Sequence, residues 1–93
     1  MFDPRLFAEY DRAGDTLYVW KRKPARLRSV HGDEPGIVWR LDSETGEPVG
    51  VIVQGYLHYW HSRVDQLAGL IALKMVMPER EAHDMLDGVY TYL

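Results

Sequence analysis

The chain has 93 residues, no cysteine, three tryptophans and a formal net charge of −3. That length holds one domain and one core, and the missing cysteines exclude a disulfide framework, a thiolate zinc site and a cysteine nucleophile. Hydrophobic residues make up 46% of the sequence and aromatics 12%, which excludes a disordered chain, while "KRKPARLR" gathers five of the eleven basic residues and leaves the remainder acidic.

The opening "MFDPRLFAEY" has neither a basic n-region nor a long apolar h-region, so no leader is expected there. A turn-forming "RAGD" (12–15) leads into "TLYVW" (16–20), where Leu17 and Val19 share one face and Thr16, Tyr18 and Trp20 the other. Next comes the basic run, with Lys21, Arg22, Lys23, Arg26 and Arg28. Set beside Tyr18 and Trp20, it is the one candidate nucleic-acid surface: cations for phosphate and rings for bases. Basic residues and a proline near a strand edge equally block edge-to-edge aggregation, and the acidic remainder repels a wrapped polyanion. Nucleic acid is therefore the alternative reading, not the leading one.

"GIVWRLD" (36–42) alternates again, with Ile37, Trp39 and Leu41 facing in and Val38, Arg40 and Asp42 facing out. "PVGVIV" (48–53) pairs with it and presents Val49, Val51 and Val53 together. Between them Asp42, Glu44 and Glu47 suggest a cation loop, but counting from Asp42 the glycine falls at position five, and position twelve is Val53. A calcium loop needs glycine at six and a bidentate carboxylate at twelve. Asp42, Ser43, Thr45 and Gly46 are instead hairpin residues.

After Tyr56 the period changes. Trp60, Val64, Leu67, Ile71 and Met75 form one stripe of an amphipathic helix spanning 56–76, although "LIALKMVM" (70–77) also suits a last strand. Its apolar core, "LAGLIALKMVM" (67–77), is too short and lysine-interrupted to span a bilayer. Pro78 then opens a second helix over 78–93, with Glu79 and Glu81 in its first turn and a stripe of Ala82, Met85, Leu86, Val89 and Leu93. The expected fold is α+β: an antiparallel β-meander over residues 6–53, then two C-terminal helices packed on one face, all in a single domain, 1–93. A cytoplasmic protein is expected.

Candidate chemistry is sparse. His58, His61 and Asp65 stand at i, i+3 and i+7, so on a helix they would offer one face to zinc. Aromatic anchors at a helix start explain the same segment, so no metal is assigned. Ser29, Ser43 and Ser62 lack a nucleophile-elbow context, His31 reads as a loop residue before "GDEPG", and His83 beside Asp84 and Asp87 reads as a solvated helix face. No catalytic residue and no cofactor are assigned, and an enzyme is the least supported class. More telling is the surplus of apolar residues on the first helix: Leu57, Leu70, Leu73, Val76 and Met77 lie outside the stripe that meets the sheet. A homodimer through that surface is the leading expectation, with a second protein as a further partner; the competing arrangement folds the second helix over it.

Three blocks, "YDRAGDTLYV" (10–19), "GIVWRLD" (36–42) and "GEPVGVIV" (46–53), carry a family likeness in Tyr10, Asp11, Asp15, Leu17, Tyr18, Gly36, Ile37, Val38, Asp42, Gly46, Val49, Gly50 and Val51. The chain here resembles the small bacterial domain of unknown function numbered 2283. Ile52 stands near the place where members often carry a glutamate, and everything after Val53 lies outside the resemblance. The resemblance implies a small sheet-plus-helix fold, no catalytic residues, and, from relatives that look like halves of two-component operons, a protein partner.

Overall fold

The computed structural model describes residues 7–91. The alternating segments become five strands, β1 (Phe7–Asp11), β2 (Thr16–Trp20), β3 (Leu27–His31), β4 (Ile37–Asp42) and β5 (Pro48–Gln54). They make one antiparallel sheet in the order β1-β2-β5-β4-β3. The chain-order meander holds from β1 to β2 and from β3 through β5. The two parts join where β2 pairs with β5, so the last strand in sequence is the central one in space. Its composition suits that place: Val49, Val51 and Val53 are all buried, and β-branched side chains fit a pleated surface closed on both flanks.

A single 3₁₀ turn (Trp60–Arg63) leads into α1 (Val64–Met75), and α2 (Glu79–Thr91) comes last. The first helix therefore starts later than the expected residue 56, because 55–59 form turns. Residues 70–75 are helical, not a last strand. The helix stops at Val76, which takes the left-handed conformation at φ 53° and lets the Met77 N–H reach back to the Ala72 carbonyl at 3.0 Å. A β-branched residue is strained there, so the stop is imposed by the packing of α2 against α1 and not by Val76 itself. Residue 6, the last part of the second expected helix and Leu93 lie outside the described residues.

Both helices lie on one face of the sheet. Leu17 and Val19 from β2, Ile37 and Trp39 from β4, and Val51 and Val53 from β5 meet Trp60, Leu67, Ile71 and Met75, every one of them buried. The helix stripe read from sequence is thus the stripe that packs, and each fully buried aliphatic side chain stabilises by about 1.5–3 kcal/mol. The Trp60 indole N–H donates to the Pro35 carbonyl at 3.0 Å, which satisfies its polar atom inside the core. Ala82 and Leu86 of α2 are also buried, with Met85 and Val89 packed against the same cluster.

One carboxylate ties the sheet to the helices. Asp15, at φ 48° in the β1–β2 turn, accepts from the Tyr10 hydroxyl at 2.5 Å, the Leu57 N–H at 2.8 Å and the His58 N–H at 3.1 Å. Its carbonyl takes the Gly55 and Tyr56 N–H groups at 2.9 and 3.0 Å. Burial pushes this carboxyl up, but the donated hydrogen bonds outweigh it and hold Asp15 below the ordinary range. The Tyr10 phenol, desolvated and bonded to Asp15, is pushed up to about 12.

A phenol with a raised folded pKa contributes stability that is whole below its unfolded value of 10.0 and is lost as pH climbs through about 12. Tyr10→Phe should lower stability in urea by about 1.5–3 kcal/mol near neutral pH, the range for a hydrogen bond to a charged group. It should also remove the Tyr10 share of the alkaline loss between those two values, which paired urea titrations across pH 9–12 measure.

Candidate functional site

The basic run does not stand free as a phosphate surface. Lys21 Nζ lies 3.4 Å from Glu47 Oε2 and donates to the Met75 carbonyl at 3.2 Å, so it caps the negative end of α1. Arg22 bridges Asp42 Oδ2 at 2.9 Å and Glu47 Oε1 at 2.8 Å. Asp42 is only 8% exposed, a departure from its expected solvent-facing position, because this cation and the turn enclose it. Its other oxygen accepts the Glu44 N–H at 2.9 Å. The Glu44 N–H and then Arg22 hold the Asp42 carboxyl low, and Arg22 does the same for Glu47. The acidic loop is thus a turn, closed by the Gly46 N–H on the Asp42 carbonyl at 2.7 Å. Of the remaining cations, Lys23 sits 5.4 Å from the Trp20 ring centre, while Arg26 just before β3 and Arg28 within it are exposed.

The three candidate metal ligands are not brought together. His58 lies in the 55–59 turns, His61 in the 3₁₀ turn, and Asp65 in the first turn of α1, so the shared helical face that the spacing assumed does not exist. Asp65 Oδ1 instead meets His83 Nε2 of α2 at 2.7 Å, with Asp87 Oδ2 3.4 Å from His83 Nδ1. That hydrogen bond to Asp65 leads in raising His83 above its ordinary value. His83 therefore clips α2 to α1. Among the described residues no three His, Asp or Glu side chains are placed to hold a metal ion, and none of the described helices is long and apolar enough to cross a membrane.

The five apolar residues expected at an interface separate. Leu70 and Met77 pack partly against the core, Leu57 sits in the turns at 41% exposure, and Leu73 and Val76 stand out from α1 at 79% and 84%. Packing of α2 against α1 accounts for the partial cover.

A further uncovered surface is one that the local sequence pattern does not single out. Strand positions alternate to the core face, and the intervening positions form the opposite face, which neither helix covers. Pairing aligns them into rows: Glu9, Tyr18, Ile52, Val38 and His31 across one, and Phe7, Trp20, Gly50, Arg40 and Ser29 across the next. Phe7 is 61% exposed, and Tyr18, Trp20, Val38 and Ile52 are each partly exposed. Trp20 lies across Gly50, where a Cβ would fall 2.8 Å from its Cε3 and 2.9 Å from the Val19 carbonyl oxygen. Arg40 stands 5.2 Å from the same ring centre, and its buried Nε has no hydrogen-bond partner among the described residues. The cation is held by the ring quadrupole. At the β1 end a hollow of about 360 Å³ opens between Phe7, Glu9, Trp20 and Lys23. A signal is present in the sequence, since "TLYVW" and "IVWR" put Tyr18, Trp20 and Val38 at the non-core positions of their strands.

His31, expected in a loop, ends the edge strand β3 opposite Val38. No family model, no curated protein and no solved structure matches this chain.

Gly50→Ala should displace Trp20 and cost about 1–3 kcal/mol through overpacking. In a proton–nitrogen spectrum the Trp20 indole resonance should move, while that of Trp60, fixed on the Pro35 carbonyl, should stay in place.

Proposed function

We propose that the protein is an interaction module that self-associates, and that its contact surface is the open face of the sheet. The observation that carries this reading is the row of Tyr18, Ile52 and Val38 beside Trp20, on a face that neither helix covers. Five strands about 4.8 Å apart and about 17 Å long give this face a total area of about 400 Å² per copy, apolar and polar positions together. Aromatic residues and an arginine suit the centre of such a patch. Leu73 and Val76 on α1 are each more exposed, but α2 takes up the flank that the apolar surplus of α1 would otherwise leave open.

Nucleic acid is less well supported than protein as the occupant. Two cations of the basic run, Lys21 and Arg22, are already engaged by Glu47 and Asp42, and the chain carries a net charge of −3. The reading assigns no catalytic residue and no cofactor, and a cytoplasmic setting accords with the absence of cysteine.

Sedimentation velocity from about 5 to 500 µM tests this reading. A contact of about 400 Å² from each copy is smaller than a standard specific interface, so a weak monomer–dimer equilibrium within this concentration range is expected. Ile52→Arg should leave the fold intact and shift the protein to monomer, whereas Leu73→Glu should leave the equilibrium within about threefold of the parent. A parent that stays monomeric throughout, or a dimer indifferent to Ile52→Arg, contradicts the reading.

A further inference from the structure

We infer that the hollow at the β1 end of the sheet binds a small zwitterion with an apolar side chain, that is, a free aromatic or branched aliphatic α-amino acid. This goes beyond the proposed self-association and does not depend on it. The hollow measures about 360 Å³, a volume within the range of small-molecule sites, and Phe7, Glu9, Trp20, Arg22 and Lys23 line it. Its apolar wall follows from strand register, since Phe7 of β1 stands directly opposite Trp20 of β2.

What sets the hollow apart is unspent charge. Asp15, Asp42, Glu47 and His83 are each engaged by a partner from another segment. In the hollow, Glu9 makes no hydrogen bond or ion pair among the described residues, and Lys23 has only the Trp20 ring, 5.4 Å from its ammonium. Arg22 spends Nη2 alone on Asp42 and Glu47, which leaves its Nε and Nη1 without a partner among the described residues. Glu9 and Lys23 thus border one small space without meeting. Opposite charges that flank an apolar wall and do not pair with each other match a ligand that carries both. A ligand carboxylate accepts from Lys23 and from the open edge of Arg22, its ammonium donates to Glu9, and its side chain lies against the Phe7 and Trp20 rings. A simple anion would satisfy Lys23 but meet the Glu9 carboxylate, and a simple amine would meet the two cations. The end residue of a peptide keeps only one of the two charges, so the free amino acid is the match.

Proton–nitrogen spectra of the full chain, titrated with phenylalanine, test this. The Trp20 indole and the Phe7, Glu9 and Lys23 amides should move together with a Kd of about 1 mM, the strength expected for a ligand of this size in an open site. The Trp60 indole should stay in place. Phenylpropionate, which lacks the ammonium, and phenethylamine, which lacks the carboxylate, should each bind about tenfold more weakly, and glycine should give no shift. Lys23→Met should weaken phenylalanine by about tenfold, and Glu9→Gln should bring it to the level of phenylpropionate. Both positions are exposed, and circular dichroism checks that the variants are folded. No movement of the Trp20 indole at about 20 mM phenylalanine, twenty times the expected Kd, overturns the inference. Equal affinity for phenylalanine and phenylpropionate overturns it too, as does a titration that neither Lys23→Met nor Glu9→Gln alters. Ile52→Arg should bind phenylalanine as the parent does. A parent that is monomeric throughout and still binds phenylalanine with this selectivity supports the site and contradicts the self-association alone.

Discussion

A five-stranded sheet has two faces, and the two helices of this chain cover only one. That constraint shapes the rest of the molecule. α1 lays its stripe of Leu67, Ile71 and Met75 over β5 and into the core cluster, and α2 then packs beside it instead of crossing to the far side. The linker allows nothing else, since α1 ends at Met75 and α2 begins at Glu79, too few residues to pass around a sheet edge. The far face is left to manage its own hydrophobic surface. It does so in part by folding Trp20 down over Gly50 and holding Arg40 against the ring.

The same constraint governs the charged residues. Asp15 joins the β1–β2 turn to the turns at 55–58, and Asp42 closes the β4–β5 turn and holds Arg22. Lys21 ends α1, and His83 joins α2 to Asp65. The shifted pKa values of Asp15, Asp42 and His83 thus arise at junctions between elements, and Lys21 places its charge at a helix end. Glu9 at its outward strand position is taken up by no such junction and borders the hollow that Trp20 and Lys23 also line.

Much of this is legible in the sequence, and the failures have physical causes. Period-two alternation locates β2, β4 and β5 and their inward residues, and period-3.6 spacing locates both helices, because those segments bury one clean face. β1 and β3 are edge strands with little to bury: "FAEYD" and "LRSVH" carry no apolar run, and His31 reads as a loop residue. The strand order departs from a full meander because β2 pairs with β5 across a long separation, which local pattern cannot report. The metal spacing of His58, His61 and Asp65 fails because the chain runs through turns at 55–59 and a 3₁₀ turn at Trp60–Arg63 before α1 begins, so the three residues never share one helical face. The open face is hidden for a different reason: the sequence sets Tyr18 and Trp20 next to the basic run, and only strand pairing places Ile52 and then Val38 alongside Tyr18.

The most direct test of the sheet-face dimer is an isotope-filtered nuclear Overhauser experiment on an equimolar mixture of labelled and unlabelled chains, at a concentration where sedimentation finds dimer. The account predicts intermolecular contacts from the Tyr18 ring and from the Val38 and Ile52 methyl groups of one copy to the same face of the other. Intermolecular contacts confined to Leu73 and Val76 of α1, with none from Tyr18, Val38 or Ile52, would contradict it.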